Sequence, residues 1–434
     1  MRTIKIGLIG FGTVGAGVVK IISQTNRLIE QRLGAAVKLV KIADLDIKTD
    51  RGVPVAPNVL TANADDVIAH PEIDIVLELI GGMEPARSFI LKALENGKHV
   101  VTANKALLAK HGSEIFAAAE ARHLTIGYEA SVGGAIPIIR SICESFAATR
   151  FKSIDGIVNG TANYILSKMS DDHCDFNSAL KEAQDKGYAE TDPTFDIEGI
   201  DSAHKIALLT RLAFGAQAPL EDIYTEGISK ITAEDIQYAR DFGFRIKLLA
   251  ISKCEGGEID VRVHPAMIST TNPLSNINGV LNAIRVCDDF MEENILVGHG
   301  AGALPTGSAV LGDVVDIGRN IIAGARDRAP LQSFQTSSIR PIPIKNINEI
   351  TSEYFLRFGV ADKPGILSQI SGILGDNSIS IKSVIQRERD NKGKGVPLVL
   401  MTHQANEKNI QNAVGKINQL ETVFQKAVLI RVEN

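Results

Sequence analysis

Asp201 and Lys205 stand four residues apart at the end of a stretch, residues 183–205, that gathers six acidic side chains: Asp185, Glu190, Asp192, Asp196, Glu198 and Asp201. Positions i and i+4 share a helix face, so on a helix this carboxylate and this ammonium meet. A lysine withdrawn from water and tuned by a neighbouring carboxylate can donate or accept a proton. On a surface, the same two residues would form an ion pair of little energetic weight. Lys105 is a second cation placed for chemistry, directly after Thr102-Ala103-Asn104 at the end of the apolar run 99–103. A third feature suits a phosphate. Gly10-Phe11-Gly12-Thr13-Val14-Gly15 follows the apolar run 4–9 and precedes Val18, Val19, Ile21 and Ile22 in helical register.

Strand, G-x-G-x-x-G and helix in that order form the dinucleotide fingerprint. Gly10 serves the tight turn, Gly12 the approach of a pyrophosphate, and Gly15 the packing of helix on strand, with the helix N-terminus facing the phosphates. A second strand, 37–43, ends at Asp44-Leu45-Asp46. An acid there accepts hydrogen bonds from the adenosine ribose and points toward NAD. Lys48 and Arg51 keep NADP open as the alternative. Strands at 73–79, 99–103 and 124–128 alternate with helices at 84–96 and 113–121, which predicts a doubly wound parallel sheet. Ligands of such sheets sit beyond the carboxyl ends of the strands, where Lys105 lies.

Residues 129–137, Glu-Ala-Ser-Val-Gly-Gly-Ala-Ile-Pro, combine a carboxylate with glycines that let carbonyls converge. They read either as an oxygen-lined cation loop or as a hinge between domains. From residue 151 the pattern changes to strands at 154–158, 245–252, 259–264, 280–286 and 295–298 mixed with helices, which predicts an α+β substrate domain. Asn159-Gly160-Thr161-Ala162-Asn163 lies where the first of these strands meets a helix, so its amides can receive a carboxylate; alternatively Thr161 is a helix cap. Gly302 lies in the glycine-rich run 298–306 that opens a further helix. Residues 327–350, with Pro330, Pro341 and Pro343, read as a linker. The remaining residues give the order β-α-β-β-α-β of a ferredoxin-like unit.

The chain has 434 residues, more than one hydrophobic core usually organises, so two or three domains are expected. Its formal net charge of −5 offers no basic footprint for nucleic acid. The sequence shows neither a secretory leader nor an apolar run long enough to span a bilayer. Four cysteines, Cys143, Cys174, Cys254 and Cys287, lie far apart without C-x-x-C spacing. Together these features predict a cytoplasmic protein with reduced thiols.

The pattern A-x3-G-Y-A-x2-D-P-x2-D-I-x-G-x-D-x3-K, filled by Ala183, Gly187, Tyr188, Ala189, Asp192, Pro193, Asp196, Ile197, Gly199, Asp201 and Lys205, resembles that of homoserine dehydrogenases. The TANKALLA run at Lys105, the NGTxN run and the return segment 300–326 resemble the same family, and the Asp-Lys-Pro-Gly turn at 362–365 resembles an ACT domain. The resemblance implies a Rossmann-type domain over 1–132 completed by 300–326, a substrate-binding and dimerisation domain over 133–326, the linker 327–350, and an ACT regulatory domain over 351–434. It implies NAD(P)H-dependent reduction of L-aspartate 4-semialdehyde to L-homoserine, with Lys205 as the main acid and Lys105 as the second cation. Glu190 and Asp201 would take the substrate ammonium, Gly160 and Thr161 its carboxylate, and Asp196 would orient Lys205. The cofactor would lie along residues 10–15, Asp44, Thr102, Lys105 and Gly302. Glu129, with the carbonyls of Val132, Gly134 and Ile136, would hold a monovalent cation, sodium. Threonine is the expected effector, and a homodimer or homotetramer the expected assembly. The alternative is a nucleotide- and amino-acid-sensing regulator without turnover, which has no need of Lys105, Glu190, Asp201 and Lys205 together.

Overall fold

In the computed structural model, which describes residues 2–386 and 395–433, the first apolar run becomes the strand Thr3–Ile9, third of six parallel strands. From one edge the order is Leu60–Thr61, Ala36–Ala43, Thr3–Ile9, Ile75–Glu78, His99–Thr102 and Ile126–Gly127. The winding direction reverses between Thr3–Ile9 and Ile75–Glu78. A doubly wound sheet opens its ligand crevice at such a point, beyond the strand ends. Helix Thr13–Leu33 buries Val18, Val19, Ile22, Ile29 and Leu33 against Ile4, Ile6 and Leu8. Helix Ala303–Ala323 returns from far along the chain and packs into the same core through Val310, Val314 and Ile317. Close approach of these two helices requires Gly17, because a Cβ there would run into the carbonyl of Ala303.

The second sheet is mixed and larger, with eleven strands among the described residues. Its main path runs Glu293–His299, Leu281–Asp288, Phe151–Ile157, Phe244–Glu255, Glu258–Ser269, Val423–Glu433, Thr351–Val360, Val396–Thr402 and Ile381–Gln386. Helices Gly160–Asp172 and Ile200–Phe214 lie against it, with Ile165, Ile206 and Leu209 in one core with Ile246, Leu248 and Ala250 of the strand Phe244–Glu255. The last four strands of the path, with helices Ile366–Asp376 and Glu407–Ile417, form the ferredoxin-like unit in the expected order.

That unit does not hang from a tether. Its final strand lies parallel to Glu258–Ser269, with Ala266 opposite Arg431, so two domains share one sheet. Buried ion pairs reinforce the seam. Arg431, held within its own unit by Glu407 at 2.6 Å, meets Glu226 across the seam at 3.0 Å, Arg262 meets Glu433 at 2.6 Å, and Arg357 meets Asp235 at 2.6 Å. Residues 327–350, read as a linker, are strapped to the body: the Tyr128 hydroxyl donates to the Leu331 carbonyl at 2.6 Å, Arg340 N to Gly215 O and Lys345 N to Ile259 O.

Local limits differ from expectation in one place that matters for the site. The helix expected over 113–121 is Lys105–Glu120 and starts at the candidate lysine itself. Asn104 caps it, its side-chain oxygen accepting from Leu107 N at 3.2 Å.

Candidate active site

Lys105 and Lys205 come from different domains and meet at one carboxylate. Gly199, in the left-handed conformation at φ 81°, turns the chain into helix Ile200–Phe214, and Asp201 falls in its first turn, where the helix dipole favours a negative charge. Lys205 follows on the same face, as its spacing requires, and is only 7% exposed. Its ammonium donates to Asp201 Oδ2 at 2.6 Å and to the Val158 carbonyl at 2.7 Å. Two of its three hydrogens are thereby used, leaving the third for a ligand. Across the crevice, Lys105 Nζ lies 3.0 Å from Asp201 Oδ1 and 6.0 Å from the centre of the Phe195 ring.

Asn159 ties the cluster together. Its side-chain nitrogen donates to Asp201 Oδ2 at 2.8 Å and to Asp196 Oδ1 at 2.7 Å, while its oxygen accepts from Ala162 N and caps helix Gly160–Asp172. The cap is therefore Asn159, and Thr161 instead donates its hydroxyl to the Tyr188 carbonyl at 2.7 Å. The first-turn amides of Gly160 and Thr161 precede the helical ladder and are donors for an incoming anion. Asp196 is linked to Lys205 through the hydrogen bonds of Asn159 and Asp201, and its charge also acts on Lys205 directly. Glu190 is exposed, and its carboxylate engages no partner among the described residues.

Burial works to raise the pKa of Asp201, but the ammonium groups of Lys205 and Lys105 outweigh it and hold the carboxyl well below the usual carboxylate range. Lys205 is lowered, by burial first, with Asp201 opposing and the charge of Lys105 adding to the shift. Asp196 is raised by burial, with the Asn159 hydrogen bond opposing and the charge of Asp201 adding. A lowered lysine beside an ionised carboxylate is the condition of a usable acid.

The dinucleotide turn lies at the carboxyl end of the strand Thr3–Ile9, against Leu79 just beyond the strand Ile75–Glu78. Gly10 takes φ 100° and its N–H donates to Ala43 O, Phe11 N donates to Asp44 Oδ2 at 2.5 Å, and Asp46 N to Asp44 Oδ1 at 2.8 Å. Gly12 is the N-cap of helix Thr13–Leu33, and a Cβ on it would meet nothing within 4 Å. That open space at a helix N-terminus fits a pyrophosphate. Thr102 is wholly buried, donating to Glu78 Oε2 at 2.7 Å and accepting from Asn104 N, so any cofactor contact there comes from backbone. Gly302, at φ 122°, starts the return helix beside Thr13–Leu33.

In the expected cation loop, Glu129 accepts from Ile139 N and Arg140 N, each at 2.8 Å, and the Ile136 carbonyl accepts from Ile138 N. Among the described residues no group of three or more His, Cys, Asp or Glu could hold a metal, so a cation here would rest on Glu129 and the carbonyls of Val132, Gly134 and Ile136. Asn159, the Val158 carbonyl and Phe195 are site residues that sequence reasoning did not assign; the N-G-T-x-N run carried the signal for the first.

Comparison with known proteins decides the family. Profiles described as "Homoserine dehydrogenase, NAD binding domain", "Homoserine dehydrogenase" and "ACT domain" match residues 10–129, 137–315 and 354–422. The homoserine dehydrogenase of Neisseria gonorrhoeae is 43% identical, over 100% of this chain and 99% of that protein. The chain belongs to the homoserine dehydrogenase family. The Bacillus subtilis homoserine dehydrogenase is 37% identical, again over 100% of this chain and 99% of the other. A crystal structure of the Thiobacillus denitrificans homoserine dehydrogenase matches with TM-score 0.94 and 43% identity over 100% of this chain and 99% of that one. A Staphylococcus aureus homoserine dehydrogenase structure matches with TM-score 0.77 and 29% identity over the full length of both chains. As a homoserine dehydrogenase family member, the chain is an NAD(P)-dependent oxidoreductase acting on a CH–OH group, the reversible step between L-aspartate 4-semialdehyde and L-homoserine. Among the described residues, no helix is long and apolar enough to cross a membrane.

Proposed function

We propose that Lys205 supplies the proton when L-aspartate 4-semialdehyde is reduced to L-homoserine, with Lys105 as the second cation at the carbonyl oxygen. One observation carries this reading: Asp201 anchors both ammonium groups, at 2.6 and 3.0 Å, in a crevice between two domains. Bound NAD(P)H supplies the hydride. As the aldehyde carbon gains hydride, negative charge grows on its oxygen, and the two cations stabilise it. The proton of Lys205 then passes to that oxygen, forming the alcohol O–H and leaving a neutral amine that water re-protonates. In the oxidation of homoserine, the neutral amine accepts the alcohol proton.

The amides of Gly160 and Thr161 take the substrate carboxylate, and Glu190, whose carboxylate is exposed, takes its ammonium. Asp201, engaged with two lysines and Asn159, acts on the lysines. A monovalent cation, sodium, at the Glu129 loop stays part of this reading: each Glu129 oxygen accepts one amide hydrogen, from Ile139 and Arg140, and keeps a further lone pair for a cation. A cavity of about 460 Å³ at the turn Asp362 to Gly365 supports an amino-acid effector site, with threonine the first candidate. We also favour a homodimer or homotetramer in a reducing cytoplasm, which the four free cysteines support.

Lys205→Met tests the central assignment. We expect kcat to fall by about 10²–10⁴-fold with dinucleotide affinity retained. Near-normal turnover in the folded variant would remove Lys205 from the mechanism. Assays with threonine, methionine and isoleucine test the effector, and lack of inhibition by threonine alone would discard that choice.

A further inference from the structure

We propose that the cavity between helix Gly160–Asp172, helix Ala233–Asp241 and strand Phe244–Glu255 binds a small oxyanion of phosphate size. The cavity measures about 180 Å³. Pockets for drug-sized ligands start at roughly 300 Å³, so this one suits a compact ion with a few waters. Its lining brings together Lys247, Arg240 and Arg245 with the hydroxyl-bearing Ser167, Ser170 and Thr270, and no carboxylate.

The decisive residue is Lys247, which is 2% exposed. Its ammonium donates to Asn163 Oδ1 at 3.0 Å, the Ile277 carbonyl at 2.5 Å and Asn278 Oδ1 at 3.1 Å. All three acceptors are neutral. Lys205, Arg262, Arg357 and Arg431 are buried as deeply, and each meets a carboxylate at close range. Lys247 has no such partner, a lack it shares with Lys98 on the carbonyls of His70 and Ile73, and an uncompensated buried charge is costly. Burial pushes its pKa down to about 7, with the charge of Arg245 acting in the same direction and Asp171 opposing.

Arg240 donates to the Ser170 carbonyl and lies 3.3 Å from His173 Nε2, while Arg245 approaches Asp171 only to 3.9 Å, at an exposed position. Two guanidinium groups thus face one small cavity with little neutralisation, and Lys247 adds a third positive charge whenever it is protonated. An oxyanion there receives charge-assisted hydrogen bonds from the guanidinium groups and the hydroxyls. Lys247 contributes its field, since its hydrogens are taken. The site stands apart from the crevice of Lys105 and Lys205. It lies against the body of the helix whose first turn faces substrate and at the far end of the helix whose Asp235 is held by Arg357 of the ACT unit.

The test uses the full chain saturated with NAD(P)H and L-homoserine, which occupy the glycine turn and the Gly160–Thr161 amides, the other places where phosphate would bind. Inorganic phosphate and sulfate are titrated against chloride at matched ionic strength, and the thermal midpoint and equilibrium dialysis of labelled phosphate are read. We expect saturable binding of one phosphate, with sulfate competing, weakened at least tenfold by Arg245→Gln and by the shape-conserving Lys247→Met. A phosphate response equal to that of chloride overturns the proposal. So does unchanged phosphate affinity in both variants, each checked for folding by its turnover.

Discussion

Replacing Asp201 by asparagine keeps the shape of the site and removes the one negative charge set between two ammonium groups. The charge stands 2.6 Å from Lys205 Nζ and 3.0 Å from Lys105 Nζ. At an effective dielectric constant of about 20, a unit charge about 3 Å away is worth roughly 5 kcal/mol. The asparagine dipole and water entering beside the half-exposed Lys105 recover about half of that, leaving about 2–3 kcal/mol, or roughly two pH units for Lys205. The direction is fixed. Lys205 already lies below its ordinary value, and loss of Asp201 lowers it further. Aldehyde reduction needs the charged form, so the alkaline decline of kcat should begin about two pH units lower in Asp201→Asn than in the parent. The variant's defect should therefore widen as pH is raised and shrink as pH is lowered, read between about pH 6 and 9. The assay is steady-state consumption of NAD(P)H with aspartate semialdehyde across this range. An alkaline limb at the parental pH, with kcat within about threefold, would refute the claim that Asp201 tunes Lys205.

Two further outcomes follow from buried charges elsewhere. Burial first, and then the charge of Glu129, push the pKa of Asp313 up to about 7, against hydrogen bonds from Glu129 N and the charge of Arg140. Between about pH 4 and 7 the folded chain therefore holds a proton that the unfolded chain has released, and this contribution to stability is lost as pH rises through about 7. Asp313→Asn should abolish that decline, so parent and variant midpoints measured from pH 5 to 8 should diverge; parallel curves would show Asp313 ionised throughout. Arg431→Met strands Glu407, which is 1% exposed, and should cost about 3–5 kcal/mol in denaturant unfolding, whereas a loss under about 1 kcal/mol would make this buried pair a minor element.

The first domain was legible because its signals are local. Apolar strand, glycine turn and helix follow one another within residues 3–33, and the period of each shows in the sequence. The meeting of Asp201 with Lys205 was legible for the same reason, being a property of helical spacing. Helix Lys105–Glu120 was read too short because Gly112-Ser113 resembles a helix start, yet Gly112 is buried near Phe116 inside the helix. Asn159 was placed near the substrate but not at the hub of Asp196 and Asp201, since that role depends on how two helices approach in space. Glu190 shares the acidic stretch with Asp201 but not its surroundings, because the turn at Gly187 carries it to the surface. The joining of two sheets left no trace in periodicity, for a strand alternates alike whichever neighbour it finds.

That joint makes the C-terminal unit part of the catalytic body. Cutting the chain near residue 350 would strip Glu258–Ser269 of its parallel neighbour, bare the edge at Ala266–Ile268 and rob Arg262 of Glu433. Such a fragment should aggregate instead of persisting as a desensitised enzyme. Conversely, any effector that tilts the last strand must drag a strand of the substrate domain with it, since the two are hydrogen-bonded edge to edge.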